Sequence, residues 1–382
     1  MSVASPAGPG VLSTAGPGLL STAGQAGLST GSWSGPVVDV DVHIAPPTIE
    51  VLFPFLADYW LEFIHESNFQ APPSAAQVYP PGAPTTCRPR WRPSDGSPPG
   101  SSLAMLRSEV LDPLRAQRAI VNCCWGVESV RHPDFALALA AAVNDWVAAE
   151  WLAADPRLRA SLVVPGHDPA AAASEVDRIG DHPGFVSVLL PSRSMRLYGN
   201  RLWHPMFEAI ARRGLVAGVH YGGQSDGPPT PTGFPSWFLE EQAGEPQLWA
   251  SQLTSVIGEG LFEKFPTLRM TFMESGFAWM GSAMWRLDKE WKGLRRDIPW
   301  VVRPPSETVR ERIKISTRPL DAGPPEHWAN AIAWLGANEM LMFASDYPHA
   351  HEQEVQLLLD ATPASAHAGI MGANARAHYR GL

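Results

Sequence analysis

Several short apolar runs of this 382-residue chain end in residues with acidic or imidazole side chains. The first run ends with Asp41 and His43, the fifth ends with His220, and the eighth ends with Asp346. Because strand side chains alternate, Asp41 and His43 lie on the same face. Carboxylate and imidazole groups without thiolates suit a divalent ion such as zinc or manganese. We therefore predict that these residues are the ligands of a metal ion.

Other residues near the ends of these runs are candidates for binding a substrate. Arg193 follows the fourth run and Arg318 the seventh, where a guanidinium could hold a substrate carboxylate or serve only the structure. Trp279, after the sixth run, could pack against an apolar or aromatic substrate. Cys123 and Cys124 lie within the apolar second run, which predicts that both are buried and inert.

Eight apolar, β-branched runs read as strands, and most are bounded by Pro, Gly or Asp. They are Val37–His43, Arg118–Cys124, Ser161–Pro165, Phe185–Leu190, Leu215–His220, Leu268–Glu274, Arg312–Thr317 and Met340–Asp346. The segments between them read as helices, namely Asp134–Ala153, Trp203–Arg213, Glu245–Phe265 and Ser275–Lys292. Alternating strands and helices predict an α/β fold, a closed (β/α)8 TIM-like barrel. A doubly wound sheet is the alternative, but no glycine-rich fingerprint follows the first strand.

The amino-acid composition argues against some classes of binding partner. The chain carries 29 Lys+Arg against 38 Asp+Glu, a formal net charge of −9. This balance, without basic runs, argues against nucleic acid and anionic membranes. No stretch approaches the roughly 20 apolar residues of a transmembrane helix. Three cysteines cannot build a disulfide framework, so we predict a cytoplasmic protein with a small-molecule or peptide substrate and a possible homo-oligomeric state.

The chain divides into three predicted regions. Residues 1–36 are uncharged, repetitive and rich in small residues, which predicts a disordered low-complexity tail. Residues 37–382 form the predicted barrel, with residues 44–117 as an insertion after the first strand. In a barrel this insertion leaves from the catalytic end. It is therefore either a lid over the site or a loose surface loop.

Four motifs give the chain a family resemblance. D-V-D-V-H-I-A-P, V-H-Y-G-G, M-E-S-G-F-A-W-M and F-A-S-D-Y-P-H resemble the amidohydrolase-related family, which includes aminocarboxymuconate-semialdehyde decarboxylase-like enzymes. The likeness runs from Val38 to the C-terminus and implies a metal-dependent (β/α)8 barrel, usually with zinc. It assigns the ligand positions to Asp41, His43, His220 and Asp346. The sequence departs from many relatives at Glu274, where they have histidine.

The resemblance favours hydrolysis as the main expectation. Metal-activated water would attack an amide, amidine-like, ester or lactone bond, with Asp346 taking the proton. Glu274 would act as a ligand or an acid/base, and His349 would orient Asp346 or meet the substrate. The hydrolase hypothesis includes the tailoring of a peptide natural product in secondary metabolism. The alternatives are non-oxidative decarboxylation of an aromatic or muconate-type acid and a non-catalytic binding barrel.

Overall fold

Eight parallel strands form one sheet in which each strand pairs with the next along the chain. The computed structural model describes residues 28–72, 87–222, 233, 235–336, 338–349 and 355–382. The strands are β1 (Val37–Ile44), β2 (Ala116–Cys123), β3 (Leu158–Val163), β4 (Phe185–Pro191), β5 (Val216–His220), β6 (Arg269–Met273), β7 (Ile313–Ser316) and β8 (Leu341–Met342). Hydrogen bonds from Val40 N to Phe343 O (3.0 Å) and from Asp346 N to Asp41 O (3.1 Å) join the last strand to the first. The predicted (β/α)8 barrel is thus confirmed.

Helices follow the strands and pack around the barrel. They are α1 (Asp58–Ser67), α2 (Leu103–Leu106), α3 (Pro133–Trp146), α4 (Pro169–Ile179), α5 (His204–Arg212), α6 (Phe238–Gly258), α7 (Leu261–Lys264), α8 (Ala278–Leu294), α9 (Pro305–Arg312), α10 (Pro325–Leu335), α11 (Val355–Asp360), α12 (Ala364–Ala368) and α13 (Asn374–His378). Wider π-helical turns follow α2, α3 and α12, at Arg107–Leu111, Val147–Leu152 and Gly369–Ala373. Shorter 3-10 segments are Ile49–Phe55, Pro89–Trp91, Val127–Ser129, Arg201–Trp203 and Asn338–Met340.

Local sequence explains where these elements begin. The Asp168 carboxylate accepts hydrogen bonds from Ala170 N (2.9 Å) and Ala171 N (3.0 Å) at the start of α4. Pro169 occupies the first turn, where no backbone donor is needed. All residues of β1 are buried, as expected for a parallel strand covered on both faces.

The segment Pro133–Leu152, which joins α3 to its π-helical turn, is long and apolar enough by length and composition to cross a membrane. The expectation that no stretch approaches this length was therefore wrong. In the fold, 56% of the 18-residue apolar window within this segment is buried, with Phe135, Leu139 and Val143 in the main apolar core. Its Asn144 side chain donates to Val163 O (2.9 Å) at the end of β3, so the segment serves as one of the barrel helices.

The described part of the insertion packs on the carboxyl end of the barrel. Trp91 is fully buried, and its ring centroid lies 5.1 Å from that of Tyr347. Cys87 forms an antiparallel bridge with His349, and Ala45 N donates to Gly100 O (3.4 Å). Residues 73–86 of the predicted insertion lie outside the described residues. The described part is therefore an ordered cover beside the strand ends, and its role as a lid stays a prediction.

The predicted tail also lies mostly outside the described residues, which begin at Leu28. The described end of this region contacts the barrel domain: Thr30 is buried, and Ser32 N donates to Gln356 Oε1 (2.6 Å). Residues 28–36 therefore have defined contacts with the barrel domain, and the boundary of the predicted tail at residue 36 stays a prediction.

Replacing Trp91 by alanine is expected to lower the free energy of unfolding by about 3–5 kcal/mol, because a fully buried indole leaves a cavity. Trp285→Ala is the matched control, since Trp285 is 51% exposed and contributes mainly one ring contact, with Trp334. Its loss is expected to cost about 1 kcal/mol. Urea unfolding measures both values, and equal small losses would contradict the packing of the insertion on the barrel.

Candidate metal and catalytic site

The four predicted ligands meet at the carboxyl end of the barrel. His43 Nε2 lies 3.1 Å from His220 Nε2 and 3.0 Å from Asp346 Oδ1, and His220 Nε2 lies 3.3 Å from Asp41 Oδ1. Two nitrogens that share one ion at about 2.0–2.1 Å are themselves about 2.9–3.4 Å apart at ordinary bond angles. The two imidazoles are therefore close enough to bind a common ion.

The surroundings of the Asp41 carboxylate also favour a bound cation. Burial opposes ionisation of this carboxyl, but the charges and hydrogen bonds of His220 and His43 lower its pKa well below the usual range. Asn122 Nδ2 donates to Asp41 Oδ1 (2.8 Å). Within the described parts of the chain, the buried Oδ2 atom has no hydrogen-bond partner. A buried charged oxygen is costly unless something compensates it, and a divalent ion would do so.

The two histidines attract protons when no cation is present. Burial lowers the pKa of each imidazole, but the nearby Cys124 and the surrounding carboxylates outweigh this effect. The net result is that the pKa values of His43 and His220 are raised well above their ordinary value. Since only neutral imidazoles bind metals, protons and metal ions compete for these atoms.

We expect the apparent affinity for a divalent metal to rise with pH through the neutral range. The raised pKa values of the imidazoles mean that the metal ion must compete with protons for these nitrogens, and each proton displaced on binding can change the affinity by up to about tenfold per pH unit. Calorimetric titration with Mn²⁺ at several pH values, in buffers of different ionisation enthalpy, measures the affinity and the protons released. An affinity that does not change with pH would contradict the proton-loaded state of the histidines.

Glu274 and Asp346 leave their strands in an unusual backbone conformation. Both have a φ angle of +57°, in the left-handed region that residues other than glycine seldom adopt. Glu274 N donates to Ser316 Oγ (3.1 Å), which holds this turn beside β7. Burial, followed by the charge of Asp346, raises the pKa of Glu274 well above its ordinary value. Proton uptake by Glu274 is therefore favoured by its burial and by the neighbouring Asp346 carboxylate.

His349 and Arg318 lie beside this carboxyl pair. The His349 ring centroid is 4.9 Å from that of His43, and its backbone N donates to Asp346 O (2.8 Å). Arg318 is only 8% exposed. Its burial lowers the pKa to about 10, against the raising effect of Asp346, so it stays charged at neutral pH. The predicted catalytic role of His349 and substrate role of Arg318 remain predictions.

The other two predicted substrate residues are engaged within the protein. Arg193 Nη2 lies 2.5 Å from Glu241 Oε1 and 2.7 Å from Glu245 Oε1, both on α6. The Trp279 indole donates to Ser275 O (2.9 Å) and is half-buried. These contacts give both side chains a structural role, and their contact with substrate stays a prediction.

Sequence reasoning missed two groups at the site. Asn122, which holds Asp41, accepts a hydrogen bond from Ser161 Oγ (2.6 Å); a polar residue inside the apolar second run was the available signal. Cys124 was predicted to be buried and inert; its predicted burial is wrong, and its inertness is not tested by the structure. It lies just beyond β2, is exposed, and places Sγ 3.9 Å from both ring nitrogens of His220.

Comparison with known proteins agrees with this geometry. A family model described as amidohydrolase matches residues 38–381. The solved structure of 5-carboxyvanillate decarboxylase from Sphingomonas paucimobilis is 21% identical, with a TM-score of 0.64 over 90% of this chain and 99% of that one. None of the curated proteins compared with the sequence matches it.

Two further solved structures contain manganese. A mutant of 5-carboxyvanillate decarboxylase from Novosphingobium aromaticivorans, with bound manganese and 3-methoxy-4-hydroxy-5-nitrobenzoic acid, is 18% identical at a TM-score of 0.65, covering 91% of this chain and 98% of that one. A dihydroxybenzoic acid decarboxylase from Polaromonas, with manganese and 2-nitroresorcinol, is 18% identical at a TM-score of 0.62, covering 90% and 96%. At such identities the likeness shows a shared fold.

These comparisons correct the functional expectation. From the sequence we expected hydrolysis of an amide, amidine-like, ester or lactone bond first, whereas the three solved structures described above are decarboxylases. The hydrolase assignment was therefore wrong, and the decarboxylase alternative agrees better with the comparisons. A divalent metal is supported by the candidate ligand groups and by the manganese in similar structures.

Proposed function

The chain belongs to the amidohydrolase family, and from this premise we propose that it is a metal-dependent decarboxylase of aromatic or muconate-type carboxylic acids. The observation that carries the proposal is the pair of carboxyl groups, Glu274 and Asp346, which lie 3.6 Å and 3.0 Å from His43 Nε2. Burial and the charge of Asp346 raise the pKa of Glu274, which favours its protonated form. Loss of CO2 breaks a C–C bond and leaves its electron pair on the former carboxyl-bearing carbon. That carbon then needs a proton, which a protonated carboxyl group can deliver.

Asp41, His43, His220 and Asp346 would hold the metal ion. When bound, it would supply positive charge that stabilises negative charge developing on the substrate. Oxygen and nitrogen donors accept either manganese or zinc. The similar structures with manganese support testing that ion beside the zinc expected from the sequence.

The carboxyl pair would move the proton. Glu274 Oε1 lies 3.6 Å from His43 Nε2, and Asp346 Oδ1 lies 3.0 Å from the same nitrogen, so both acids face the ligand cluster. Asp346 would protonate the carbon, Glu274 would restore the proton to Asp346, and solvent would return a proton to Glu274. His349, whose backbone is tied to Asp346 O, would hold the position of this acid.

The substrate would lie between charged and aromatic groups. Arg318 is buried near Asp346 and stays charged at neutral pH, so it would bind an anionic or hydroxyl oxygen of the acid. Trp279 would provide an apolar surface for an aromatic ring. The described part of the insertion, with Trp91 and Gly100 beside the strand ends, would form one wall of this small-molecule site.

The proposal is tested by incubating metal-loaded protein with hydroxylated aromatic acids in D2O. The panel begins with 5-carboxyvanillate and 2,6-dihydroxybenzoate, which are named for the similar enzymes. We expect CO2 release, with one deuterium in place of each lost carboxyl group. Amides and esters of the same acids serve as matched controls for hydrolysis. If the amides and esters are cleaved while no acid in the panel or among muconate-type acids loses CO2, the proposal is wrong. Binding without any turnover would favour the non-catalytic barrel.

A further inference from the structure

Cys124 is the one thiol at the site among the residues that the structure describes. Its Sγ lies 3.9 Å from both Nδ1 and Nε2 of His220. The other cysteines, Cys87 and Cys123, are buried elsewhere in the described structure, although Cys87 pairs by its backbone with His349. Neither the family match nor the strand-end pattern assigns a role to Cys124.

The backbone explains why this thiol faces the barrel axis. Cys124 N donates to Asn122 O (3.1 Å), a tight turn that ends β2 and folds the chain over the strand end. Asn122 in turn donates to Asp41 Oδ1 (2.8 Å). Cys124 is therefore placed by the same residue that orients a predicted metal ligand.

The separations are close to those around a shared ion. A sulfur at about 2.3 Å and a nitrogen at about 2.0 Å from one tetrahedral ion lie about 3.5 Å apart. Cys124 Sγ lies 3.9 Å from His220 Nε2 and equally far from Nδ1, so rotation of the cysteine side chain toward Nε2 would bring the sulfur to the ion. The ligand atoms of His43, Cys124 and His220 all lie within 4.8 Å of one another. The fully buried Asp41 Oδ2, which has no hydrogen-bond partner among the described residues, independently indicates a cation beside these groups.

We propose that Cys124 supplies a thiolate to the ion held by His43 and His220 and thereby makes this centre prefer zinc to manganese. This inference rests on the proposed metal-dependent function. A metal–sulfur bond forms while the S–H bond breaks, and the proton leaves to solvent. Thiolate is a soft ligand that stabilises zinc, whereas manganese prefers oxygen donors. The substrate site would then have a sulfur atom at its exposed edge.

Cobalt substitution tests the thiolate directly, because Co²⁺ replaces zinc and shows a near-ultraviolet sulfur-to-metal charge-transfer band only when sulfur is bound. The full-length protein is loaded with Co²⁺, and bound cobalt is measured by equilibrium dialysis. We expect the band in the wild type and in Cys123→Ala, the matched control for a neighbouring thiol. We expect Cys124→Ser to bind cobalt without the band. Cobalt bound to the wild type without the band would overturn the inference and leave the metal site intact. Failure to bind cobalt or zinc would overturn the metal site as well.

Two further measurements test thiolate binding. The second uses only the wild type, so it does not depend on the folding of a variant. The zinc-to-manganese affinity ratio should fall by at least about tenfold in Cys124→Ser, as loss of even an indirect support of a metal ligand costs about 10- to 100-fold in affinity. In the wild type, saturating Zn²⁺ should protect Cys124 from iodoacetamide, which mass spectrometry of the labelled peptide detects. An unchanged affinity ratio, or equal labelling with and without zinc, would contradict thiolate binding.

Discussion

Asp346→Asn is expected to lower the kcat for CO2 release by about 100- to 10,000-fold, the usual contribution of a positioned general acid. Asparagine keeps the size of the side chain but cannot deliver the proton. The backbone bond from Asp346 N to Asp41 O is unaffected, so the fold should survive. Steady-state kinetics with a substrate from the decarboxylation panel measure the effect.

The control for Asp346→Asn is Asp177→Asn, which removes a partly exposed carboxylate that pairs with Arg212 on the outer helices. This control should keep kcat within about twofold, because surface changes away from a site seldom exceed roughly 0.5 kcal/mol. Metal content is measured for each variant, which separates loss of the acid from loss of a ligand. Near-normal turnover in metal-loaded Asp346→Asn would remove Asp346 from the chemistry.

His220→Ala should lose both its metal and its activity. The Nε2 atom of His220 lies 3.1 Å from Nε2 of His43. The substitution therefore removes one of the two nitrogen atoms that are proposed to bind the metal ion. A bound metal provides several kcal/mol of transition-state stabilisation, so we expect turnover to fall by about 1,000-fold or more. Elemental analysis after dialysis measures the metal, and kinetics measure the rate.

His204→Ala is the matched control for His220→Ala. His204 lies at the start of α5, where its ring packs against Phe265. The control should retain the metal and the activity of the wild type. If His220→Ala also retained stoichiometric metal, the proposed ligand set would be wrong.

The strand periodicity predicted the barrel because parallel strands are buried on both faces and read as continuous apolar runs. It failed at β8, where Met340–Asp346 was expected and only Leu341–Met342 pairs as a strand. Beyond Met342, side chains take over part of the pairing: Ala344 N donates to Thr317 Oγ1 (3.1 Å), and Ser345 N donates to Asp39 Oδ1 (3.0 Å). Such substitutions depend on a partner strand far away in the sequence.

The meeting of Asp41, His43, His220 and Asp346 could be predicted because barrel topology brings the ends of all strands to one rim; their role as metal ligands stays a prediction. Contacts made by loops could not. Cys124 appears as the last residue of an apolar run, and only the turn onto Asn122 shows that its thiol is exposed. Arg193 was a plausible substrate group in sequence, but its partners Glu241 and Glu245 lie on a helix beyond the following strand. Local sequence does not reveal such pairings.

Anomalous X-ray scattering from crystals soaked separately in Mn²⁺ and Zn²⁺ tests the metal site most directly. The expected result is one strong peak about 2.0–2.3 Å from His43 Nε2, His220 Nε2 and an oxygen of Asp41. Asp346 should border the same peak. A fully soaked crystal without a peak at these atoms would contradict the metal centre, and with it the proposed decarboxylase.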